Sequence, residues 1–194
     1  MQRRTLLAGL AAGATLAGGA VRAQSSAPAA ASAMPAPALS DAARTHIRDT
    51  LAAGSQSLMI SRIAQGKLKH PMGRQFADFE AAEQDGIADV LKGRTMPGAK
   101  PTGATVAPTD AEVEANLDAE GRAAVARFRD MAAGPEFEKA YIQAEVDGHR
   151  KLLGIQDAYL QVADDAAETD IAKLAKGRIQ EHLVILGDIA KHLG

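Results

Sequence analysis

The chain has 194 residues and a formal net charge of −2, with 22 Lys and Arg residues against 24 Asp and Glu. It therefore lacks the basic excess that favours nucleic acid as a partner, and without Cys it must be held together by core packing. Aromatic residues make up 3% and Trp is absent, which favours helices over sheets and argues against large aromatic ligand platforms.

The N-terminal segment has the layout of an export signal. Arg3 and Arg4 precede a weakly apolar run over 6–21, and Val21-Arg22-Ala23 forms a small-residue cleavage site. The paired arginines resemble a twin-arginine signal. The run is about 16 residues long, shorter than the roughly 20 that a spanning helix needs, so a transmembrane anchor is the less favoured alternative. We therefore predict a signal peptide over 1–23, cleaved after Ala23, and a periplasmic mature protein without a transmembrane segment.

Residues 24–39 are rich in Ser, Ala and Pro, which predicts a disordered linker before a helical domain over 40–194. A first helix is predicted from Ser40-Asp41 to the helix-breaking His70-Pro71. The later predictions are a second helix over 72–92, a Pro- and Gly-rich connection over 93–109, a broken helical region over 110–134, a fourth helix from Pro135 to about 163, and a last helix over 167–192.

Apolar residues recur at helical spacing in each of these segments, and no segment has the alternation of a strand. Four long amphipathic helices and one short helix bury their stripes best as an antiparallel four-helix bundle, an all-α fold. The predicted core consists of Phe76, Phe79, Phe137, Tyr141, Leu152, Ile155, Ile179 and Leu186.

Four polar residues lie on these apolar stripes: Glu83, Glu145, His149 and His182. Carboxylates and imidazoles on facing helices are how helical bundles hold metal ions, so these four are the candidate ligands for iron, manganese or zinc. The alternative is structural, because a buried Glu–His pair also satisfies core polar groups and fixes helix register. The spacing places His149 and His182 in one inter-helix space, with Glu145 close to one of them. The structural alternative, without a cofactor, is favoured because a di-iron centre needs about six ligands.

The remaining polar residues carry weaker signals. His46, His70 and His192 lie near predicted helix ends and are expected to be solvated. The acidic turn over 164–170 lacks the pattern of a calcium loop and is expected to be an exposed linker. No phosphate-binding loop, dinucleotide motif or activated nucleophile is present, so no catalytic residue is predicted.

A family resemblance rests on Phe137-Glu138-Lys139-Ala140-Tyr141, on His149, and on Glu181-His182-Leu183, with Phe76-Ala77 and Leu91 in support. Over about residues 43–193 the chain resembles a bacterial exported family with a ferritin-like four-helix fold and no assigned function. The resemblance implies functional positions at Tyr141, His149, Glu181 and His182. Where the family carries Asp-His, this chain has Glu83-Gln84, and where the family carries a Glu, it has Ser57. Glu83 is then a substitute ligand, and a di-iron oxidase is not implied.

Three functions are compatible with these observations. The favoured one is a non-enzymatic periplasmic protein that binds a partner or supports envelope stress tolerance. The others are a metal-binding or metal-dependent redox protein of ferritin-like type, and a small-ligand carrier with a cavity between helices. The sequence names no partner for any of the three.

Overall fold

The computed structural model describes residues 38–96 and 102–193, and every regular element in these ranges is an α-helix. The helices are α1 (Asp41–Lys67), α2 (Pro71–Thr95), α3 (Asp110–Asn116), α4 (Ala119–Asp130), α5 (Pro135–Val162) and α6 (Ala166–Leu193). The all-α prediction is confirmed, although the single short helix expected from the sequence is two. The predicted signal peptide and most of the predicted linker lie outside the described residues.

Local chemistry explains where the helices begin. The Ser40 hydroxyl accepts a hydrogen bond from the Ala43 backbone N–H and caps α1. The Asp118 carboxylate accepts a hydrogen bond from the Gly121 backbone N–H and caps α4. This cap marks the break between α3 and α4. Before α5 the backbone at Gly134 has φ of 151°, a conformation that only glycine adopts without strain. Pro135 then begins the helix without losing a backbone hydrogen bond.

The six helices form a bundle around α1. Helix α1 packs against α2, α3, α4 and α5, and α5 packs against α6. Phe128 and Phe137 meet edge to face in the main core with a centroid distance of 5.7 Å. No helix within the described ranges is long and apolar enough to cross a membrane.

The predicted core is right except at Phe79 of α2 and at Ile155 of α5. Phe79 is 58% exposed, whereas Phe76 is 3% exposed, so the expected burial of Phe79 is wrong. Glu80 and Gln84 are buried where the prediction placed Phe79 and Glu83, so the buried face is turned by one residue, or about 100°. Ile155 is only partly buried beside Leu152. The buried residues of α2 are Gly73, Phe76, Ala77, Glu80, Ala81, Gln84 and Leu91.

His46 is buried, not solvated as its position near a helix end suggested. Its Nδ1 lies 2.6 Å from Glu168 Oε1, and its Nε2 lies 2.7 Å from Gln156 Oε1. Glu168 is also fully buried, which corrects the expectation of an exposed acidic turn. The start of α1 packs between α5 and α6, and two protein partners replace water around the imidazole.

Candidate metal centre

Three side chains from three helices converge in the bundle interior: Glu80 of α2, His149 of α5 and His182 of α6. Glu80 Oε2 lies 3.3 Å from His149 Nε2 and 3.0 Å from His182 Nδ1, and the two nitrogens are 3.0 Å apart. All three residues are at most 3% exposed. Atoms bound to one metal ion at about 2.0–2.2 Å lie roughly 2.9–3.5 Å from one another, so these separations suit a shared cation.

The helices position these groups through their apolar seams. His182 lies between Ile179 and Leu186 on the buried face of α6. His149 lies one turn after Glu145 on the buried face of α5. The Phe76 ring packs against both imidazoles, with centroid distances of 5.9 Å to His149 and 5.2 Å to His182. This apolar wall holds the ring orientations and keeps water from the site.

The Nδ1 atom of His149, which faces away from Glu80, is hydrogen-bonded to the backbone. Its Nδ1–H donates to the Glu145 carbonyl oxygen at 2.8 Å, so Nε2 faces Glu80 and His182 and offers them a lone pair when the imidazole is neutral. His182 presents Nδ1 to the centre, and its Nε2 lies 3.6 Å from Glu83 Oε2. A hydrogen-bonded outer nitrogen, as on His149, is typical of histidines that ligate metals.

Glu80 has one satisfied and one unsatisfied carboxylate oxygen. Oε1 accepts hydrogen bonds from Ser57 Oγ at 2.7 Å and from Gln84 Nε2 at 2.9 Å. Oε2 is the one side-chain polar atom among the described residues that is buried without a hydrogen-bond partner. It lies within ion-pair distance of both imidazoles but outside hydrogen-bond geometry. A buried orphan carboxylate oxygen is costly unless a cation neutralises it.

Ser57 connects Glu80 to a second buried carboxyl, that of Glu145. Ser57 Oγ lies 2.6 Å from Glu145 Oε2 as well as 2.7 Å from Glu80 Oε1. A hydroxyl has one hydrogen to donate, so it donates to one carboxyl and accepts from the other. One of the two carboxyls is therefore protonated. Ser61 Oγ approaches Glu145 Oε1 at 3.3 Å and Tyr141 Oη at 2.9 Å, which extends the network.

The pKa values decide which carboxyl carries the proton. Burial, followed by the charge of Glu80, raises the pKa of Glu145 to about 8. Burial also acts to raise the pKa of Glu80, but the contacts with His149 and His182 outweigh it and hold that pKa well below its usual range. Glu145 is therefore the neutral partner near pH 7; it donates to Ser57, which donates to the Glu80 carboxylate.

Opposing effects act on His149. Burial acts to lower its pKa, yet the contacts with Glu80 raise it to about 9. The Glu80 carboxylate thus attracts positive charge to the centre, and that charge can be a proton on His149 or a metal ion.

The structure brings together only part of the sequence-predicted ligand set. His149 and His182 face each other, as their spacing indicated. Glu145 is buried beside them, but its carboxyl is engaged by Ser57 and lies 3.6 Å from His149 Nδ1, the nitrogen that faces away from Glu80. Glu83 lies at the edge, where its Oε2 contacts Arg178 Nε at 2.5 Å.

Sequence reasoning missed Glu80. Its signal was the series Phe76, Glu80 and Gln84, spaced four residues apart, which is the buried face of α2. Glu181, which the family resemblance singled out, is exposed and pairs with Arg178 at 2.8 Å. Tyr141 is buried with its hydroxyl on Ser61.

Fold and site together define an all-helical protein with a buried Glu–His–His group that can hold a metal ion. Residues 28–189 match the model of the family described as Domain of unknown function (DUF4142), and the chain belongs to that family. Comparison with the curated proteins and with the solved structures finds no match.

Proposed function

We propose that this protein binds one divalent first-row transition-metal ion through Glu80 Oε2, His149 Nε2 and His182 Nδ1. The observation that carries the proposal is the orphan Glu80 Oε2, buried at 3.0–3.3 Å from two imidazole nitrogens. Metal binding gives this oxygen the cationic partner that the protein itself does not provide with hydrogen-bond geometry.

The chemistry of the ligands narrows the choice of metal. Two imidazoles and one carboxylate form the set that zinc enzymes and mononuclear non-haem iron proteins use, and it leaves coordination positions open to water or a small molecule. Zinc and ferrous iron are therefore the first candidates, with manganese next. A di-iron centre is not proposed, because Ser57 and Gln84 occupy positions from which further ligands would have to come.

The ferritin-like four-helix arrangement and the export of the protein belong to the same proposal. Four helices of 25–28 residues, three of which supply the candidate ligands, support a ferritin-like bundle. The Arg3-Arg4 signal supports export in the folded state, a route open to proteins that acquire a metal before they leave the cytoplasm. Periplasmic protein that begins at Gln24 is expected; full-length protein retained in the cytoplasm would contradict export.

Metal content and metal titration test the proposal. Natively purified protein should contain close to one equivalent of metal, and after chelation it should bind Co²⁺ or Zn²⁺ with the same stoichiometry. Glu80→Gln, His149→Ala and His182→Ala should each abolish binding. His192→Ala, which removes an exposed histidine, is the matched control and should bind as the wild type does.

The competing explanation is a structural Glu80–His149 ion pair without any metal. In that case the wild type takes up no metal, and the same three substitutions change only the free energy of unfolding, because each leaves a buried polar partner unsatisfied. Wild-type protein that binds neither Co²⁺ nor Zn²⁺ would overturn the proposal.

A further inference from the structure

The three proposed ligands are buried, so a metal ion needs a path to them. A cavity of about 520 Å³ lies along α2 and α6. Its α2 wall includes Glu83, Gly86 and Val90, and its α6 wall includes Leu174 and Arg178. Residues 102–105 also line it. This cavity is called the access groove below.

The access groove exists because α2 and α6 are not among the closely packed helix pairs. Glu80 and His182 lie on these same two helices and face each other across the same gap at 3.0 Å. Two other cavities have similar volumes, about 550 and 460 Å³, but neither is lined by Glu83 or by a proposed ligand. The access groove is therefore the one of the three that adjoins the site.

Glu83 belongs to both the groove and the surroundings of the site. Its side chain is 19% exposed and lines the groove, while its Oε2 lies 3.6 Å from His182 Nε2. A cation in the groove meets this carboxylate directly before it reaches the imidazole of His182. An acidic group at the inner end of a cleft raises the local concentration of cations.

Arg178 controls the availability of Glu83. Its Nε contacts Glu83 Oε2 at 2.5 Å, and its Nη1 contacts Glu181 Oε2 at 2.8 Å. The Arg178 side chain is 47% exposed, so it can turn outwards and keep Glu181 as its partner while Glu83 is released. The incoming cation then replaces Arg178 as the partner of the Glu83 carboxylate.

From this arrangement we infer that the access groove is the route by which a divalent cation reaches Glu80, His149 and His182, with Glu83 as its inner carboxylate and Arg178 as the displaceable counter-charge. The inference rests on the proposed metal site. It makes Glu83 a residue that receives the ion in transit and not one of the three ligands that hold it.

Gly86 offers a direct way to block the groove. A Cβ at this position meets no atom within 4 Å, so a larger side chain can enter the groove without a clash at its base. Gly93, on the same helix and also without a neighbour within 4 Å, lies outside the lining and is the matched control. The experiment is rapid mixing of chelator-treated protein with Co²⁺, followed by the visible absorbance of the bound ion, in wild type, Gly86→Phe and Gly93→Phe.

Gly86→Phe should slow both association and dissociation of Co²⁺ by at least about tenfold and leave the equilibrium constant unchanged. The new side chain obstructs the groove but changes neither the free ion nor the metal-bound state. Gly93→Phe should match the wild type. Glu83→Gln should slow association by about tenfold through loss of the attracting charge. Asp188→Asn, which removes an exposed carboxylate of α6 outside the groove lining, should not slow it. If circular dichroism shows that Gly86→Phe does not fold, the comparison of the two carboxylate variants tests the inference.

A folded Gly86→Phe protein with wild-type rates would overturn the access route, as would equal slowing by the two glycine substitutions. If Gly86→Phe is unfolded, equal association rates for Glu83→Gln and Asp188→Asn would likewise overturn the access route. Wild-type protein that binds no Co²⁺ contradicts the metal site itself, so the two failures are distinguishable.

Discussion

Ser57 holds the polar network of the site together, since it contacts both buried carboxyls with one hydroxyl group. It orients the Glu80 carboxylate so that Oε2 points at the imidazoles while Oε1 is satisfied. The same hydroxyl accepts a hydrogen bond from the neutral Glu145 carboxyl. Ser57 therefore orients a proposed metal ligand without being a ligand itself, as outer groups do around metal sites.

Ser57→Ala should weaken Co²⁺ affinity by about 10–100-fold, the usual effect of losing a group that orients a ligand. It should also lower the free energy of unfolding by about 1–3 kcal/mol, because two buried carboxyls lose a partner. Isothermal titration and urea unfolding measure the two effects. Ser55→Ala is the control, since Ser55 is buried on the same helix but bonds neither carboxyl. Unchanged affinity in Ser57→Ala would mean that Glu80 needs no orientation.

The histidines of the site were predictable from the sequence, and its carboxylate was not. His149 and His182 each interrupt an apolar series at helical spacing, which predicts an inward side chain. On α2 two series compete: Phe79, Glu83 and Ile87 against Phe76, Glu80 and Gln84. The series Phe76, Glu80 and Gln84 is the buried one. Because two of its three residues are polar, hydrophobic periodicity assigns it to the solvent-exposed face. The polar residues of the site therefore make the buried face of α2 look like a solvent-exposed face in the sequence.

At the scale of elements, helix boundaries were predicted well where a cap or a proline marks them, as at Ser40, His70-Pro71 and Pro135. The split between α3 and α4 was not, because it depends on Asp118 acting as a cap inside a continuous polar stretch. The polar cluster of His46, Gln156 and Glu168 was also missed. Gln156 and Glu168 lie 110 and 122 residues after His46 in the sequence, and only packing brings them to it.

The start of α6 depends on Asp165. Its Oδ1 accepts the Glu168 backbone N–H at 2.8 Å and contacts Arg94 at 2.5 Å. The hydrogen bond from Glu168 lowers the pKa of Asp165; partial burial opposes the shift and Arg94 reinforces it. Asp165→Ala should cost about 1 kcal/mol or more of stability at pH 7, through the lost cap and ion pair.

The lowered pKa of Asp165 sets the direction in which its contribution to stability changes with pH. The Asp165 contribution is fully present above the ordinary Asp pKa of about 4 and is lost as the pH falls through the lower folded value. Urea unfolding of wild type and Asp165→Ala between neutral and acid pH should therefore show converging stabilities. Asp170→Ala, which removes an exposed carboxylate of the same helix, should show no such difference. A gap between wild type and Asp165→Ala that persists into strong acid would contradict the role of the charge.

For the whole molecule, the prediction of an all-α fold succeeded because each long helix carries an apolar stripe that can only be buried against another helix. Which helices pack together could not be read from the sequence. The gap between α2 and α6, on which the access groove depends, results from the relative placement of helices far apart in the chain. Residue patterns report the face of a helix but not its neighbour.

Substitution of two phenylalanines, one buried and one exposed, tests the packing of the helices. Phe137 is fully buried against Phe128 and beneath Lys67, whereas Phe79 is 58% exposed on the outer face of α2. Phe137→Ala should lower the free energy of unfolding by about 3–5 kcal/mol, because it leaves a cavity that rigid helices cannot close. Phe79→Ala should cost less than about 1 kcal/mol, since it removes little buried surface. Urea unfolding of both variants gives the comparison, with circular dichroism to show that each remains helical. Similar losses at the two positions would mean that α2 turns its Phe79 face inwards, and Glu80 would then not reach His149 and His182.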